Sequence, residues 1–250
     1  MKIIQITDLH IELKEEAPFG IDVIKNFQDI LHTVQELKPD HLVVSGDLCY
    51  REGEEAIYRW CKKHLDQCGI PYDVIAGNHD DSTLMAKTFA LEHLLNDGEL
   101  YFTKKIGKYP IIFLDTALRQ HSDNQLKWLR RQLHQANQEV VIFMHHPPIH
   151  SSVPFMDNNH ALKDMDAVQA IFFEHPHPVN VFCGHYHVEK TVRLRNIMLQ
   201  ITPSCFFQID HYEENFKVDH HRIALREIII EQQQLLSRVH YLPGNTPGLE

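Results

Sequence analysis

Five apolar runs of this 250-residue sequence end in short groups of aspartate, asparagine, histidine and glycine, and this repeated pattern constrains the fold more than any other feature. The groups are Asp8-Leu9-His10, Gly46-Asp47, Gly77-Asn78-His79-Asp80, His145-His146 and Gly184-His185-Tyr186-His187. One such group alone is typical of a turn, because Gly permits positive φ and Asn or Asp bond back to the backbone. Five of them in one chain favour a shared cause, namely strands that end at one site.

The beginning of the sequence alternates between apolar runs and segments with helical periodicity. The runs 2–7, 41–45 and 72–76 indicate buried strands. The segments 21–37 and 54–68 each carry one apolar stripe, as amphipathic helices do. Alternation of strand, helix and strand predicts parallel strands joined by right-handed crossovers. Because ligands bind such sheets at the carboxyl ends of the strands, we expect the five groups to meet there.

The rest of the sequence predicts further helices and strands. Helices are predicted over 82–95 and 162–173 and after the capping box at Ser122, strands over 100–106, 109–114, 140–144 and 179–183, and an irregular loop over 149–159. Between residues 188 and 241, five segments have strand character and are expected to pair mostly antiparallel. We therefore predict a single domain over residues 1–250, in which residues 188–245 complete a second sheet packed on the first.

Composition limits the partners that the chain can have. Its formal net charge of −10 argues against a broad basic surface for nucleic-acid duplexes but leaves room for a small phosphorylated substrate. The five cysteines are scattered, without disulfide or Cys-x-x-Cys spacing, and no apolar stretch approaches the ~20 residues that span a bilayer. The N-terminal residues do not have the pattern of a signal peptide. These features predict a cytoplasmic protein that binds no membrane.

The five groups supply a mixed set of metal ligands: Asp8, His10, Asp47, Asn78, His145, His185 and His187. Imidazole and carboxylate together suit Mn, Fe, Zn or Co, whereas Ca and Mg prefer oxygen alone. Seven donors exceed the three or four that one tetrahedral zinc requires and match two ions that share one carboxylate. Two-metal sites of this kind clamp the attacking and leaving oxygens of an in-line displacement at phosphorus.

The order and spacing of these groups resemble those of the calcineurin-like metallophosphoesterases, from Asp8 to at least His187. Within that superfamily, Asp8-Leu9-His10, His145-His146-Pro147-Pro148 and Phe182-Cys183-Gly184-His185 look most similar to class III cyclic-nucleotide phosphodiesterases and the related glycerophosphodiesterases. The stretch 202–208, followed by Phe216-Lys217-Val218-Asp219, resembles the cyclic AMP branch in particular.

This resemblance implies an α/β fold of the metallo-dependent phosphatase type, a four-layer αββα sandwich of two mixed β-sheets. It implies that Asp8, His10 and His187 hold one ion, that Asn78, His145 and His185 hold a second, and that Asp47 bridges both. Iron and manganese are the expected ions, with zinc or cobalt as alternatives. Asp47, Asn78 and His79 are the expected catalytic residues, the last two by stabilising charge at the phosphate.

The chain departs from the protein-phosphatase branch after Asp47. That branch pairs the histidine after the metal-binding Asn with a second aspartate, whereas residues 48–52 here contain none. A protein phosphatase is therefore disfavoured, and the role of His79 is left without its usual partner. Two divalent ions, two aspartates and one hydroxide would leave one positive charge, which matches the single negative charge of a phosphodiester.

The leading hypothesis is a binuclear phosphodiesterase that uses a metal-activated hydroxide to convert 3′,5′-cyclic AMP to 5′-AMP. Glycerophosphodiesters or phosphomonoesters are alternative substrates, and a non-catalytic metal-binding scaffold is a third hypothesis, disfavoured by the intact ligands. Roles for His146 and Arg51 stay open. The aromatic segment 206–216 fits a nucleotide pocket, a core contact or a homodimer contact equally. The remaining histidines, including His32 and His220-His221, are predicted to lie on the surface, and Asp80 to be a structural hydrogen-bond acceptor.

Overall fold

The structure, a computed structural model, describes residues 1–14, 17–232 and 234–247. Its helices are α1 (Val23–Leu37), α2 (Glu55–Cys68), α3 (Ser82–Phe89), α4 (Asp123–Gln135), α5 (Pro154–Asn159) and α6 (Met165–Glu174). Its strands are β1 (Lys2–Ile6), β2 (His41–Ser45), β3 (Tyr72–Ile75), β4 (Leu95–Asn96), β5 (Glu99–Leu100), β6 (Phe102–Ile106), β7 (Tyr109–Phe113), β8 (Val140–Phe143), β9 (Val179–Cys183), β10 (Lys190–Leu194), β11 (Ile197–Ile201), β12 (Gln208–Ile209), β13 (Val218–His220), β14 (Ile223–Glu231) and β15 (Gln234–Leu242). Among the described residues, every helix falls short of the length and apolarity needed to cross a membrane.

Two mixed sheets contain most of the strands. The first has the order β15-β14-β1-β2-β3, in which β1, β2 and β3 run parallel and β14 and β15 pair antiparallel. The second has the order β10-β11-β9-β8-β7-β6, with four parallel strands between antiparallel edge strands. Strands β2, β8 and β9 are mostly apolar and are buried along their whole length, as expected of strands that are covered on both faces.

The two sheets pack against each other through a layer that includes polar contacts. Gln5 on β1 donates to the Cys183 carbonyl on β9 at 3.2 Å and accepts from Thr202. The buried Arg226 guanidinium on β14 donates to Gln200 and to the Ile201 carbonyl at the second sheet. Helices α1 and α2 connect the parallel strands of the first sheet, and α4 and α6 those of the second. The fold is therefore the predicted four-layer αββα sandwich.

The predicted alternation of strand and helix is confirmed over residues 2–75, and Ser122 caps α4 by accepting from the Gln125 amide at 3.1 Å. The helix predicted over 82–95 is wrong at its end, because it stops at Phe89 and Ala90 adopts a left-handed φ of 60°. A hairpin of β4 and β5 follows, with Asp97 and Gly98 both at positive φ in its turn. Asp-Gly is a signal for such a turn, and the helical periodicity obscured it.

The loop predicted over 149–159 also contains regular structure, since α5 occupies its second half. Pro154 begins this helix, where its missing N–H costs nothing. Asp157 then accepts hydrogen bonds from the backbone amides of Ser151 and Val153, which closes the helix N-terminus.

The prediction that residues 188–245 complete the second sheet holds for only part of this segment. Strands β10 and β11 join that sheet, whereas β14 and β15 return to the first sheet and β12 pairs with β13 in a separate two-stranded sheet. Without β14, the apolar strand β1 would expose an unpaired edge. Strand β14 itself is buried over its first six residues, so it belongs between two neighbours rather than at an edge.

The prediction of surface positions for the remaining histidines is correct for His32 but wrong for three others. His41, His121 and His175 are each no more than 6% exposed. Each finds an acceptor that offsets its burial: His41 pairs with Asp73 at 2.7 Å, His121 with Asp164 at 2.9 Å, and His175 with the Gln138 carbonyl at 2.9 Å.

Candidate metal centre

The five sequence groups meet at the carboxyl ends of strands from both sheets. The loops after β1 and β2 are bound together, because the Asp8 amide donates to Gly46 O and the His10 amide to Asp47 O, both at 3.0 Å. The loops after β8 and β9 are joined in the same way, from the Gly184 amide to His145 O at 3.1 Å. The predicted metal residues thus come from neighbouring loops that share backbone hydrogen bonds.

The backbone of these loops is strained. Positive φ angles between 46° and 67° occur at Asp8, His10, Asp47, His185 and His187. Such left-handed conformations cost free energy in residues with a Cβ and persist where the surrounding structure enforces them, as at functional sites. Here the strain turns consecutive strand-end side chains toward one point.

Close approach of the loops requires glycine beside the ligands. A Cβ at Gly77 would collide with the Asp47 carboxylate and would lie 2.6 Å from its backbone nitrogen. A Cβ at Gly184 would collide with Thr7 and lie 2.6 Å from Asp8 Oδ2. These two glycines therefore let the carboxylates sit against the neighbouring loops.

The side-chain donor atoms converge on a small volume. His187 Nε2 lies 3.3 Å from Asp8 Oδ1 and 3.1 Å from His10 Nε2. His145 Nε2 lies 3.2 Å from Asp47 Oδ2 and 3.8 Å from Asp8 Oδ1. Four groups have donor atoms within 4.8 Å of one another: Asp8, His10 and His187; Asp8, Asp47 and His145; His145, His146 and His185; and His10, Asp47 and His79.

Backbone carbonyls orient three of the four predicted histidine ligands. His145 Nδ1 donates to Ser45 O at 2.8 Å, and His187 Nδ1 to Phe207 O at 2.9 Å. His185 uses its other nitrogen, Nε2, to donate to His160 O at 2.9 Å. Because a carbonyl only accepts, the remaining ring nitrogen of each neutral imidazole carries the lone pair. Metal-binding histidines are held in this manner.

Four buried side-chain atoms of the site lack a hydrogen-bond partner among the described residues, namely His10 Nδ1, Asn78 Oδ1, His145 Nε2 and His146 Nε2. An unpaired buried polar atom costs about 1–3 kcal/mol, so it is uncommon without a reason. A metal ion would be a partner for Asn78 Oδ1 and for deprotonated His145 Nε2. The donor chemistry, the fixed tautomers and the unpaired atoms therefore fit the metal centre that the sequence predicts.

Burial and mutual charge shift the titration of the site. Burial raises the pKa of the Asp8 carboxyl, but His187 and His145 outweigh it and bring that pKa to about 2. Burial likewise opposes ionisation of Asp47, yet His145 holds its pKa well below the usual value. Burial lowers the pKa of both His10 and His185 to about 3. Ionised carboxylates and neutral imidazoles are the states that bind metal.

His145 behaves differently from the other histidines. Burial lowers its pKa, but the Asp47 and Asp8 carboxylates prevail and raise the pKa to about 9. The raised pKa favours a proton on His145 between two carboxylates in the protein without an ion, and an ion held by Nε2 would displace that proton.

His79 finds a partner that the sequence did not reveal. Its Nδ1 lies 2.9 Å from the Arg51 carbonyl, and its amide donates to Asp47 Oδ1 at 2.9 Å. A main-chain carbonyl thus orients the imidazole of His79 in a chain whose residues 48–52 contain no aspartate. Because a carbonyl only accepts, Nδ1 is the donor of this bond. One ring nitrogen of His79 lies within 4.8 Å of donor atoms of His10 and Asp47.

Asp80 has the structural role that was predicted for it. Its carboxylate accepts from the backbone amides of Gly77, Leu48 and Cys49 and from the Tyr58 hydroxyl. These bonds join the loop that carries Asp47 to the loop that carries Asn78. Tyr58 also accepts from the Asp81 amide at 2.8 Å, a contribution from α2 that no sequence motif indicated.

His146 is fully buried, so it is not a solvated residue. Its Nδ1 pairs with Thr116 Oγ1 at 2.9 Å, and its ring centroid lies 4.0 Å from that of His185. Its Nε2 lacks a hydrogen-bond partner among the described residues. His146 therefore packs against the predicted ligand His185, inside the centre rather than at its mouth.

A cavity of about 450 Å³ opens above the donor atoms. Its floor is formed by His10, Asp47, Asn78, His79, His185 and His187, and Tyr50, Arg51, Met156, His160, Phe206 and Ile209 also line it. Four phenylalanines, Phe19, Phe155, Phe207 and Phe216, complete the wall, and we call them the aromatic rim. Both ends of the segment 206–216 therefore line the cavity, whereas Phe19 and Phe155 come from distant parts of the chain without a sequence signal.

Comparison with known proteins agrees with this geometry. The calcineurin-like phosphoesterase family matches residues 1–189. The chain is 34% identical over 210 residues to a probable cyclic nucleotide phosphodiesterase of Fibrobacter succinogenes, covering 84% of this chain and 82% of that protein. It is 29% identical over 234 residues to a glycerophosphodiester phosphodiesterase of Enterobacter lignolyticus, with 86% and 81% covered. A 3′,5′-cyclic adenosine monophosphate phosphodiesterase of Vibrio vulnificus is 25% identical over 263 residues, with 98% and 94% covered.

Among solved structures, a dimetal phosphatase from Danio rerio superimposes with a TM-score of 0.74 at 12% identity. The superposition covers 98% of this chain and 96% of that one, so the two share the fold across their length. Together with the match over residues 1–189, the chain belongs to the calcineurin-like phosphoesterase family.

Proposed function

We propose that this protein is a binuclear metal-dependent phosphodiesterase and that its substrate is 3′,5′-cyclic AMP, converted to 5′-AMP. The observation that carries the proposal is the convergence of carboxylate, amide and imidazole donors, three of them tautomerically fixed, beneath a cavity large enough for a small phosphodiester. The names of the relatives from Fibrobacter succinogenes and Vibrio vulnificus support the cyclic-nucleotide substrate.

We assign the ligands as the sequence implied: Asp8, His10 and His187 for one ion, Asn78, His145 and His185 for the other, and Asp47 for both. The mixed nitrogen and oxygen donors suit iron or manganese, with zinc or cobalt able to replace them. When bound, such ions polarise the phosphoester and lower the pKa of an attacking water toward ~7. His145 gives up its proton on binding, and the strained loops hold the carboxylates in place beforehand.

His79 is the residue of the chain placed to act on the phosphate without holding an ion. The Arg51 carbonyl and the bond from its own amide to Asp47 fix its position at the cavity floor. As an imidazolium it donates from Nε2 to a phosphate or leaving oxygen, and as neutral imidazole it accepts there. The catalytic set is thus Asp47, Asn78 and His79.

A glycerophosphodiester is the second candidate substrate, because relatives named for that activity also cover most of the chain. The metal-loaded centre is expected to carry one net positive charge, which matches the single negative charge of a phosphodiester. A phosphomonoester carries one more negative charge, so it matches the centre less well. The intact donor set makes a non-catalytic scaffold the remote alternative. Scattered free thiols accord with our proposal of a cytoplasmic location.

The deciding experiment is a substrate panel with the manganese-loaded protein: 3′,5′-cyclic AMP, 2′,3′-cyclic AMP, glycerophosphocholine and bis(p-nitrophenyl) phosphate. We expect the highest kcat/KM for 3′,5′-cyclic AMP. Preferential turnover of glycerophosphocholine would replace the substrate assignment with the second candidate. Failure to hydrolyse any diester, with both ions bound by elemental analysis, would refute the catalytic proposal.

A further inference from the structure

The aromatic rim and the neighbouring Phe206 together form a continuous path of rings from the metal centre to solvent. The ring of Phe206 lies 5.2 Å from His10, and Phe207 lies 4.4 Å from Phe206. Phe19 lies 5.0 Å beyond Phe207, and Phe216 lies 5.8 Å from Phe19. Phe155 closes the group from α5, with its ring 5.7 Å from that of Phe216. One side of the cavity is therefore a wall of phenyl rings that begins at a predicted ligand.

Two rings of the rim are exposed to solvent, although burying them would stabilise the folded protein more. Phe19 and Phe216 keep 48% and 44% of their surface accessible, although both are large and apolar. Phe19 also adopts a left-handed φ of 54°, a conformation that costs free energy in a residue with a Cβ. Strain that holds an exposed ring over a cavity is typical of a binding function.

Besides the floor residues, three polar side chains line the cavity, those of Tyr50, Arg51 and His160. The Tyr50 ring lies 6.4 Å from that of His10, the Arg51 guanidinium carbon lies 5.9 Å from the centre of the Tyr50 ring, and the His160 ring lies 5.1 Å from that of Phe155. The rim, Phe206, Met156 and Ile209 form the rest of the lining and have no hydrogen-bonding side chain. The cavity wall therefore offers the faces of several phenyl rings but few groups that could read the edge of a base.

We propose that the aromatic rim is a stacking surface for the nucleobase of the substrate and selects for a planar base without distinguishing one base from another. This inference rests on the proposed function, since it places the base beside a phosphate held at the metal centre. Stacking tolerates every base because each has a π-face, whereas strong rejection of an analogue requires hydrogen bonds to it. Neighbouring rim rings are inclined to one another by 57° to 69°, so the base stacks on the face of one ring and contacts the others at their edges.

The proposal is tested by binding and by turnover. Binding of 5′-AMP, 5′-GMP and ribose 5-phosphate to the manganese-loaded protein is measured by titration calorimetry. We expect both nucleotides to bind at least tenfold more tightly than ribose 5-phosphate, and their affinities to agree within about tenfold. Cyclic AMP and cyclic GMP should likewise have kcat/KM values within about tenfold of each other.

Variants separate stacking from general structural effects. Phe216→Ala and Phe19→Ala should each reduce the preference for 5′-AMP over ribose 5-phosphate at least fivefold, whereas Phe216→Trp should preserve it. Tyr212→Ala is the matched control, because Tyr212 is 86% exposed in the same loop and does not line the cavity. A preference unchanged in both alanine variants would overturn the proposal, as would a discrimination between adenine and guanine above 10²-fold.

The outcomes also separate this inference from the proposed function. If cyclic AMP is hydrolysed but ribose 5-phosphate binds as tightly as 5′-AMP, stacking is refuted and the activity stands. If no cyclic nucleotide is hydrolysed while the preference for 5′-AMP depends on Phe216, the proposed substrate is wrong and the stacking surface stands.

Discussion

The floor and the rim of the cavity are built in opposite ways. The floor residues follow strands of both sheets, are mostly buried, and are fixed by backbone carbonyls and left-handed φ angles. The rim comes from three segments that lie far apart in the sequence, one of them helix α5, and two of its four rings are about half exposed. The difference indicates that rigid strand ends hold the reactive groups, while the loops around them set which molecule is admitted.

The largest effect that this contrast predicts is at Asp47. Because one carboxylate is assigned to both ions, Asp47→Ala should reduce the binding of both. It should lower kcat/KM by more than about 10³-fold, which exceeds the effect of removing a single hydrogen-bond donor that stabilises charge in the transition state. Elemental analysis and kinetics measure the two effects. Loss of only one equivalent of metal would contradict the bridging assignment, and Asp219→Ala, at an exposed position, serves as the control.

His79 tests whether a floor residue can act without holding an ion. His79→Ala should retain both ions and lower kcat by about 10²-fold, the scale of one positioned proton donor or acceptor. The comparison is with His32→Ala, since His32 is exposed on α1. Metal loss in the His79 variant would move this residue into the ligand set, where its proximity to His10 and Asp47 makes it a candidate.

Removal of metal should destabilise the floor and leave the rim unaffected. An ion whose free concentration is 100 times its dissociation constant stabilises the folded state by about 2.7 kcal/mol. Chelation should therefore lower the Tm of the wild-type protein by several degrees. The same shift is expected in Phe216→Ala, because the rim contributes no ligand. A Tm that is insensitive to chelation, with metal shown to be removed, would contradict the coupling of metal to folding.

Tyr58 tests the scaffold beneath the floor. Tyr58→Phe removes the hydroxyl between the Asp80 carboxylate and the Asp81 amide, and should lower the free energy of unfolding by about 1–2 kcal/mol. Urea denaturation provides the measurement, and Tyr212→Phe, at an exposed ring, is the matched control. Equal stability of the two variants would show that Asp80 does not depend on this bond.

The rim should matter least to stability. Phe216→Ala is expected to change the free energy of unfolding by less than about 1 kcal/mol, because the ring is nearly half exposed. Phe206→Ala, at a neighbouring ring only 2% exposed, should cost about 3–5 kcal/mol. Comparable losses in the two variants would mean that the rim is part of the core and not a separate surface.

The convergence of the floor residues was predictable from the sequence, because each predicted ligand belongs to a group that follows an apolar run directly. The hydrogen-bond partner of His79 could not be predicted from the sequence. It is the backbone carbonyl of residue 51, which every amino acid supplies, so the identity of that residue gives no indication of the bond. Phe19 and Phe155 were missed for a related reason: each reaches the cavity only through tertiary packing of loops far apart in the sequence.

Because β14 pairs with β1 in the first sheet, completion of the sheet beneath the metal centre depends on a segment that is synthesised late. Strand β1, which leads into Asp8 and His10, pairs on one side with β2 but on the other with β14, from Lys2 opposite Ile229 to Gln5 opposite Arg226. A ribosome releases residues 223–231 after all of the predicted ligands, the last of which is His187. The nascent chain therefore carries its donor atoms on a strand with one open edge, and mature metal affinity should arise only when these late residues close it.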